Sequence, residues 1–321
     1  MNINLPFTNF LVTGGTGFIG QYLAESLANL DKKVIILDIY RSVRHSISSV
    51  NKRKINFIKE DIRNYQKLSE IISQNNIEFI FHLAAQTLVE KAYNHPKNTL
   101  DINIMGTVNI LETVRRNSRI KGVVIASSDK AYGKEKTGNK YLEHRSLAGD
   151  HPYEVSKSAA DLIATAYFKT YNLPITVSRC ANVYGEGDLN FSRIIPGIMK
   201  SLITGQVLKI RSNGLYVRDY IYIKDVIKGY LHLASSINNI RGEAFNFGSK
   251  DTLTVMELIR KIEKVLKKQL KYRIINTAKN EIFFQSLNSD KANKKLNWKP
   301  DFSVESTVEK IFKWYTQKLI N

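Results

Sequence analysis

Short apolar runs alternate with helical stretches through the first half of the chain, and this alternation is the strongest constraint on its fold. The runs are continuously apolar rather than alternating with polar residues, as in parallel strands that are buried on both faces. They lie at residues 10–13, 34–38, 55–58, 79–83, 123–127 and 175–178. The helical stretches lie at residues 22–30, 65–74, 98–117 and 153–171. This order predicts an α/β fold with a doubly wound parallel sheet.

A glycine-rich loop stands directly after the first predicted strand and directly before the first predicted helix. Its pattern is G-x-x-G-x-x-G, and its candidate cofactor contacts are Gly14, Thr16, Gly17, Phe18, Ile19 and Gly20. Glycine permits the tight turn and lets backbone N–H groups approach a pyrophosphate, while the helix N-terminus supplies partial positive charge. In this strand–loop–helix context the pattern predicts a Rossmann dinucleotide site.

Asp38 closes the second predicted strand, where its carboxylate can accept hydrogen bonds from an adenosine ribose. An acid at this place favours NAD over NADP, because it would repel the 2′-phosphate. Arg41 and Arg44 follow closely and keep NADP as the less favoured alternative. Asp61 and Ile62 follow the third strand, and we expect them to bracket the adenine.

The regular alternation fades after about residue 185, where glycines and prolines interrupt mixed segments. A final helix is predicted from an apolar stripe at helical spacing, which we interpret as core packing. The stripe consists of Val304, Val308, Ile311, Phe312, Tyr315 and Leu319. We therefore expect a dinucleotide-binding domain over residues 1–182 and a smaller mixed α/β domain, mainly for substrate, over residues 183–321. Some crossing of the chain back to the first domain is expected.

Tyr153 and Lys157 form a Y-x-x-x-K pair at the start of a predicted helix, which places both side chains on one face. A phenol titrates near a pH of about 10 and is a poor base at neutral pH. An adjacent ammonium and a positive nicotinamide ring would favour the phenolate, so that Tyr153 can take a proton from a substrate hydroxyl as hydride leaves the same carbon. Ser128 follows the fifth predicted strand, where its hydroxyl can hydrogen-bond the reacting oxygen.

The chain of 321 residues carries a formal net charge of +19, which invites a nucleic-acid interpretation. Its lysines are spread rather than clustered, so we expect a solvated basic surface and no nucleic-acid partner. The single cysteine, Cys180, excludes an internal disulfide and fits a reducing compartment. No apolar run approaches the length of a membrane span, and the start lacks the basic segment of a signal peptide. These features predict a cytoplasmic protein without a membrane contact, and no metal site is expected.

Further motifs occur in a fixed order along essentially the whole chain: HLAA at 82–85, RCANVYG at 179–185, RDYIYIKDV at 218–226 and FNFG at 245–248. Together with the glycine loop, Asn103, Ser128, Tyr153 and Lys157, they resemble the extended short-chain dehydrogenases of the NAD-dependent epimerase/dehydratase family, which act on nucleotide sugars. The resemblance implies NAD as the cofactor and a nucleotide-diphosphate sugar as the substrate. It also implies a homodimer that forms through the helices near 98–117 and 153–171.

The resemblance assigns further candidate contacts. Those to the cofactor are Leu83, Ala84, Ala85, Asn103 and Cys180, in addition to Tyr153 and Lys157. Those to the substrate are Gln86, Ser128, Asn182, Arg193, Arg211 and Arg218. Arginine suits bidentate contacts to a diphosphate, and Arg218 lies within the best-matched motif.

Asp129 and Lys130 follow Ser128 and occupy the place that distinguishes the reactions of this family. A C4-epimerase needs little beyond Tyr153, Lys157 and the serine, because its 4-keto intermediate only rotates and is reduced again. A 4,6-dehydratase also needs a base for the C5 proton and an acid for the departing C6 hydroxyl. An Asp-Lys pair in this place is similar to CDP-glucose 4,6-dehydratases, and the resemblance assigns the pair to the elimination step.

We therefore predict an NAD-dependent nucleotide-sugar 4,6-dehydratase, a hydro-lyase of deoxysugar and polysaccharide biosynthesis, with a CDP-hexose or a related nucleotide hexose as substrate. The alternative is a nucleotide-sugar 4-epimerase in which Asp129 and Lys130 are bystanders. A non-catalytic NAD-dependent sensor is a third interpretation. Such a protein would not need to keep Tyr153, Lys157 and Ser128 together.

Overall fold

The fold is given by a computed structural model that describes residues 3–40, 53–134, 138–277 and 282–320. Arg41 and Arg44, on which the NADP alternative depends, lie outside these described residues. The strands are β1 (Asn9–Thr13), β2 (Lys33–Asp38), β3 (Ile55–Lys59), β4 (Phe79–His82), β5 (Gly122–Ser128), β6 (Ile175–Cys180), β7 (Asn182–Tyr184), β8 (Leu208–Ile210), β9 (Val217–Tyr222), β10 (Ala244–Phe247), β11 (Thr252–Thr254), β12 (Tyr272–Ile274) and β13 (Phe284–Gln285). The helices are α1 (Phe18–Asn29), α2 (Tyr65–Gln74), α3 (Val89–Asn94), α4 (Pro96–Leu100), α5 (Gly106–Arg116), α6 (Pro152–Tyr171), α7 (Ile194–Thr204), α8 (Ile223–Ser236), α9 (Val255–Leu266), α10 (Asp290–Leu296) and α11 (Val304–Ile320).

Seven strands form the main sheet in the order β10-β6-β5-β4-β1-β2-β3, and every neighbouring pair is parallel. In the centre of the sheet, Leu11 of β1 lies opposite Ile35 of β2 on one side and Ile80 of β4 on the other. All six strands predicted for the first half of the chain are present. The predicted doubly wound Rossmann fold is confirmed.

The sheet is apolar throughout because both of its faces are covered. Successive side chains of a strand point to opposite faces, so Phe10 and Val12 of β1 join one core cluster while Leu11 joins the other. All three of these side chains are fully buried. The first cluster continues into the second half of the chain, through helix α8 and the C-terminal helix α11, which ties the two halves into one packed unit.

The helix predicted over residues 98–117 is the element that differs most from expectation. It begins earlier, with α4 at Pro96, and it changes to a π-helical segment at Asp101–Met105 before α5 begins. A π-turn admits one extra residue into the helical path and is frequently found at functional sites. Periodicity at 3.6 residues cannot reveal such an insertion, and here the inserted turn carries Asn103, a predicted site residue.

Other element ends differ by a few residues. Helix α1 begins at Phe18, four residues before the predicted start, because the glycine loop itself leads into the first turn with Gly17 as its N-cap. Helix α6 begins at Pro152, since proline is tolerated at the first helical position. Strand β4 ends at His82, so Leu83 already belongs to the loop that follows.

The seventh strand of the main sheet, β10, comes from the second half of the chain. It pairs with β6 so that Phe245 lies opposite Ser178 and Phe247 lies opposite Cys180. Both phenylalanines are buried. The sequence identified this segment as a motif and not as a strand of the first sheet, because the pairing joins residues that are far apart in the chain.

The second half of the chain builds smaller sheets beside the carboxyl edge of the main sheet. Strand β9 pairs with β11, β13 and β7, and β8 pairs with β12. The predicted C-terminal helix is α11, and its stripe is confirmed as packing: Val304, Val308, Ile311 and Tyr315 are buried, and Phe312 and Leu319 pack against the same core. None of the described helices combines the length and apolarity that a membrane crossing requires.

Candidate active site

The glycine loop between β1 and α1 is closed by its own backbone. The Gly14 N–H donates to the Leu37 carbonyl at 2.8 Å, and the Gly17 N–H donates to the Gly14 carbonyl at 3.0 Å. Gly14 has a φ of +67°, and a Cβ on it would lie 2.7 Å from the backbone nitrogen of Ala84. A Cβ on Gly20 would collide with the Gly14 carbonyl oxygen. These two positions therefore accept no side chain.

Asp38 stands at the end of β2 and already binds the loop. Its Oδ2 accepts hydrogen bonds from the Thr16 N–H at 3.1 Å and the Thr16 hydroxyl at 2.7 Å. Its Oδ1 accepts the Ile39 N–H at 2.8 Å. The carboxylate is thus held in a fixed orientation at the carboxyl edge of the sheet. Its contact with a ribose stays a prediction.

The loop after β4 lies against the glycine loop. The Leu83 N–H donates to the Thr13 carbonyl, and the Ala84 N–H donates to the Thr13 hydroxyl, both at 3.2 Å. That hydroxyl is also 2.8 Å from Nδ1 of His82, whose pKa burial lowers to about 3, so the imidazole is neutral. Ala85 follows in the same loop, half-buried. The three predicted cofactor residues 83–85 therefore form one wall beside the glycines.

Asp61 and Ile62 lie just beyond the end of β3, on the same edge of the sheet. The Asp61 carboxylate forms an ion pair with Arg63 at 2.7 Å, and this hydrogen-bonded pairing holds the pKa of Asp61 below its usual range. Ile62 is buried and packs over Gly106, where even a Cβ would collide with its side chain. Their predicted contact with adenine stays a prediction.

Asn103 in the π-helical segment joins two parts of the site. Its Nδ2 donates to the Gln86 carbonyl at 3.0 Å and to the Ser156 hydroxyl at 2.8 Å, and its Oδ1 accepts the Gln86 N–H at 2.7 Å. Ser156 in turn donates to the carbonyl of Tyr153 at 2.7 Å. The side-chain amide of Gln86 also bonds within the protein. The structure therefore gives Asn103 a positioning role, which links the loop after β4 to helix α6.

Tyr153 and Lys157 are buried on the side of α6 that faces β5. The Lys157 ammonium donates to the Ala126 carbonyl at 2.8 Å, and burial lowers its pKa to about 8. Burial raises the pKa of Tyr153 to about 12, the negative charge of Asp129 adds to this, and the Ser128 hydroxyl acts in the opposite direction. Without a bound cofactor the phenol is therefore protonated. Positive charge brought in by the cofactor would favour the phenolate.

Asp129 and Lys130 lie in a short 3₁₀ turn, Asp129–Tyr132, directly after β5. The Ser128 hydroxyl caps this turn, since it donates to Oδ1 of Asp129 at 2.8 Å and accepts the Lys130 N–H at 3.3 Å. The Lys130 ammonium donates to Oε1 of Gln285 in β13 at 3.2 Å. Sequence reasoning missed Gln285, which belongs to no motif that we identified.

Cys180 and Asn182 mark the end of β6 and the start of β7. Cys180 lies opposite Ser128 in the sheet register, and burial raises the pKa of its thiol to about 12, so the thiol is neutral. Asn182 donates from Nδ2 to the Asp219 carbonyl of β9 at 3.3 Å. Both residues lie at the junction between the main sheet and the smaller sheets, as a shared cofactor and substrate site requires.

The three candidate arginines differ in their surroundings. Arg193 pairs with the buried carboxylate of Asp188 at 3.0 Å, and it lies near enough to Tyr153 to oppose the rise of that pKa. Arg218 is half-buried on β9, where its Nη1 donates to the Val217 carbonyl at 2.8 Å. Arg211 follows β8 and is exposed. The charge of Arg193 thus acts on the Tyr153 phenol. Diphosphate contacts of all three stay predictions.

The edge formed by these groups fits a dinucleotide. The glycine loop offers backbone where side chains would collide, and Asp38 lies at the end of the neighbouring strand. The carboxyl ends of parallel strands meet at one edge of the sheet, so these groups lie at the same edge as Tyr153 and Lys157. Within the described ranges, no group of three or more His, Cys, Asp or Glu side chains is arranged to hold a metal ion.

A family model described as GDP-mannose 4,6 dehydratase matches residues 11–311. The chain belongs to this family. It is 30% identical over 323 residues to the CDP-glucose 4,6-dehydratase of Salmonella typhimurium, which covers 95% of this chain and 89% of the relative. It is 29% identical over 324 residues to the UDP-glucuronate 4-epimerase of Thermodesulfobacterium geofontis, with 97% of each covered.

A solved structure agrees with the fold of this member of the GDP-mannose 4,6-dehydratase family. The crystal structure of dTDP-glucose 4,6-dehydratase from Bacillus anthracis in complex with NAD matches with a TM-score of 0.85 and 28% identity, over 97% of both chains. The predicted resemblance to the NAD-dependent epimerases and dehydratases is confirmed.

One further group holds the site of this family member together and was missed from the sequence. Arg179 forms a buried ion pair with Asp161 of α6 at 2.7 Å and donates to the Tyr132 hydroxyl, also at 2.7 Å. That hydroxyl donates to Asn246 of β10 at 2.7 Å. Strands β6 and β10, helix α6 and the turn that carries Lys130 are therefore fixed to one another. The RCANVYG motif contained the arginine, but its partners cannot be identified from spacing.

Proposed function

We propose that this chain is an NAD-dependent nucleotide-sugar 4,6-dehydratase, a hydro-lyase, which acts on a CDP-hexose or a related nucleotide hexose. The observation that carries the proposal is a second acid–base pair beside the catalytic tyrosine. Asp129 and Lys130 follow Ser128 directly, and the charge of Asp129 acts on the Tyr153 phenol. Epimerisation at C4 has no use for such a pair. The identity of 30% to a CDP-glucose 4,6-dehydratase supports the same reaction.

The first step is oxidation at C4 of the hexose. NAD, which the glycine loop and Asp38 would hold, would supply the hydride acceptor and, once reduced, the hydride donor of the reaction. Tyr153 takes the proton of the C4 hydroxyl, while the Ser128 hydroxyl holds that oxygen beside the phenol. Lys157, with its pKa of about 8, is mainly an ammonium at neutral pH and stabilises the phenolate.

The second step is the elimination of water across C5 and C6. The 4-keto group acidifies the C5 hydrogen, which leaves as a proton to a base, and the C6 hydroxyl takes a proton and departs as water. Asp129 and Lys130 carry the proton transfers of this step, with Lys130 as the base that takes the C5 proton. Return of hydride to C6 and of a proton to C5 completes the turnover, so the net change is the loss of one water and no cofactor is consumed.

The direct test is to incubate the purified protein with CDP-, dTDP-, UDP- and GDP-hexoses and to follow products by mass spectrometry. We expect one of these substrates to lose one water, with the CDP-hexose as the first candidate. Tyr153→Phe serves as the inactive control. A product of unchanged mass with an inverted centre at C4 would refute the dehydratase and establish the alternative.

That alternative is a nucleotide-sugar 4-epimerase. It is supported by the identity of 29% to a UDP-glucuronate 4-epimerase that covers 97% of both chains. In an epimerase Asp129 and Lys130 are bystanders, so Lys130→Ala would retain turnover while Tyr153→Phe abolishes it. The same two variants therefore separate the two functions even before the product is identified.

We also propose that residues 1–182 bind the cofactor and that residues 183–321 mainly bind the substrate. The positions of the glycine loop in the first range and of Arg193 and Arg218 in the second support this division. A cytoplasmic role in deoxysugar and polysaccharide biosynthesis is part of the same proposal. It is supported by the lone, buried thiol of Cys180.

A homodimer through α5 and α6 completes the proposal. Val155 and Leu162 lie seven residues apart on one face of α6 and are 39% and 56% exposed, although both are large and apolar. Met105, next to α5, is 47% exposed. We expect a dimer in light scattering coupled to size-exclusion chromatography, and we expect Leu162→Glu to convert it to a monomer. A wild-type monomer at micromolar concentration would contradict the dimer.

A further inference from the structure

Gln285 is the last residue of β13, a two-residue strand that pairs with β9 so that Gln285 lies opposite Arg218. Its side chain is fully buried, which is uncommon for a carboxamide. It reaches the turn after β5 from a position 155 residues further along the chain. The strand thus brings a buried polar group to Lys130 from the part of the chain that we assign mainly to the substrate.

The orientation of the Gln285 carboxamide follows from its contact with Lys130. An ammonium has only donors, so the group that faces the Lys130 Nζ at 3.2 Å has to be Oε1. Nε2 then points elsewhere, and it has no hydrogen-bond partner among the described residues. Oδ2 of Asp129 is likewise buried and has no partner among them. A buried donor and a buried acceptor without partners cost free energy unless a ligand satisfies them.

We propose that Gln285 positions the Lys130 amine for the elimination step and binds a hydroxyl oxygen of the hexose through Nε2. This inference rests on the proposed dehydratase function. Gln285 belongs to none of the sequence motifs, and it lies on β13 rather than in the turn that carries Asp129 and Lys130. Nε2 donates hydrogen bonds, so the group that it binds is a hydroxyl or carbonyl oxygen, which a sugar supplies.

The same hydrogen bond serves both protonation states of Lys130. A neutral amine keeps two N–H bonds, and donation of one of them to Oε1 fixes the direction of its lone pair. After the amine has taken a proton, the ammonium still donates to Oε1. The carboxamide therefore holds the amine in place while the proton moves. A carboxylate in this position would instead bind the ammonium too strongly to favour proton release.

The test uses Gln285→Met, which keeps the volume and removes both polar atoms, and Gln285→Glu, which keeps the acceptor and adds a negative charge. Ser286→Ala is the matched control, because Ser286 is the next residue, is also buried, and its hydroxyl bonds to Thr252 at 3.3 Å. Each protein is mixed with NAD and CDP-glucose. Reduced nicotinamide is followed by absorbance in stopped flow, and loss of water is followed by mass spectrometry.

For Gln285→Met we expect C4 oxidation at close to the wild-type rate, accumulation of reduced nicotinamide and loss of water slowed by about 10- to 100-fold. We expect KM to rise several-fold, since the hexose loses the Nε2 contact. For Gln285→Glu we expect the pH profile of kcat to change, because a carboxylate then faces the Lys130 amine. Ser286→Ala should leave kcat, KM and the pH profile unchanged.

The outcomes separate this inference from the proposed function. Suppose that the wild type loses water and that folded Gln285→Met has the same kcat, KM and pH profile as the wild type. This result would overturn the role of Gln285 alone. Isomerisation without loss of water by the wild type would overturn both. If Gln285→Met does not fold, Gln285→Asn replaces it, since its shorter side chain cannot reach Lys130. A second check places Gln285→Met in a Lys130→Met background, where a further slowing of equal size would refute action through Lys130.

Discussion

The glycine loop and Asp38, which we call the cofactor corner, join groups that are 22 residues apart in the chain. Asp129, Lys130 and Gln285, which we call the elimination corner, join groups that are 155 residues apart. The glycine loop of the first corner is mostly backbone, and a side chain at Gly14 or Gly20 would collide with it. The second is made of side chains that only the tertiary fold brings together. Local motifs therefore identify the first corner, and only the fold identifies the second.

The two corners also differ in what they leave unsatisfied. In the cofactor corner, both oxygens of Asp38 already accept hydrogen bonds from the protein. In the elimination corner, Oδ2 of Asp129 and Nε2 of Gln285 have no partner among the described residues. The cofactor corner is thus preformed, whereas we expect the substrate to complete the elimination corner. Variants that affect one corner and spare the other test this difference.

The largest effect is expected for Tyr153→Phe, because the proposed mechanism uses the phenol in the first step. We expect turnover to fall by about 10³- to 10⁴-fold, and reduction of NAD to fall with it. Initial rates and single-turnover absorbance measure both. Unchanged NAD affinity by calorimetry is the control for an intact cofactor corner. Reduction of NAD at the wild-type rate would contradict the role of Tyr153 as the base.

Lys130→Met should damage the elimination corner alone. We expect loss of water to slow by about 10²- to 10³-fold while C4 oxidation continues, so that reduced nicotinamide accumulates. Stopped-flow absorbance and mass spectrometry of the product separate the two steps. If both steps slow equally, Lys130 acts before the elimination and the division between the corners is wrong.

Gly14→Ala should damage the cofactor corner alone. The residue has a φ of +67°, and its new Cβ would lie 2.7 Å from the Ala84 backbone nitrogen. We expect NAD affinity to fall by about 10- to 100-fold, which corresponds to a strain of about 1–3 kcal/mol. Gly205→Ala is the matched control, since its φ is +72° and nothing lies within 4 Å of a Cβ there. That variant should lose stability and keep NAD affinity, as measured by thermal unfolding and calorimetry.

The smallest effect concerns the buried Lys157, whose pKa is lowered to about 8. Between that pH and the ordinary lysine value, the unfolded chain binds more protons than the folded one, so rising pH favours folding. We expect this group to add about 2 kcal/mol to the free energy of unfolding between pH of about 8 and 9.5. Urea unfolding of wild type and Lys157→Met measures the difference.

The pH window for that experiment has an upper limit set by the buried tyrosines, among them Tyr153, whose pKa is raised to about 12. Above a pH of about 10 the unfolded chain loses this proton and the folded one keeps it, so rising pH then disfavours folding. An equal slope in Lys157→Met and wild type below that limit would show that Lys157 is not the group responsible.

The sequence was sufficient wherever the site depends on neighbours in the chain. The strand ends, the glycine loop and the Tyr153–Lys157 pair are local patterns, so periodicity and spacing revealed them. It was insufficient where the site depends on pairing across the fold. Gln285 reaches Lys130, Asn103 reaches Ser156 and Arg179 reaches Asp161 only after distant strands and helices have packed. The π-helical segment could not be predicted, because its extra residue breaks the 3.6-residue period by which helices are recognised in a sequence.

The origin of β10 has a consequence for the synthesis of this protein. While the ribosome is still making the segment between β6 and β10, β6 is the outermost strand of the growing sheet, with an unpaired backbone edge. That edge is covered only after residue 247 has left the exit tunnel. During this interval the nascent chain therefore exposes a strand that is able to pair with a neighbouring nascent chain. A fragment released at residue 182 carries this open edge permanently and is expected to aggregate.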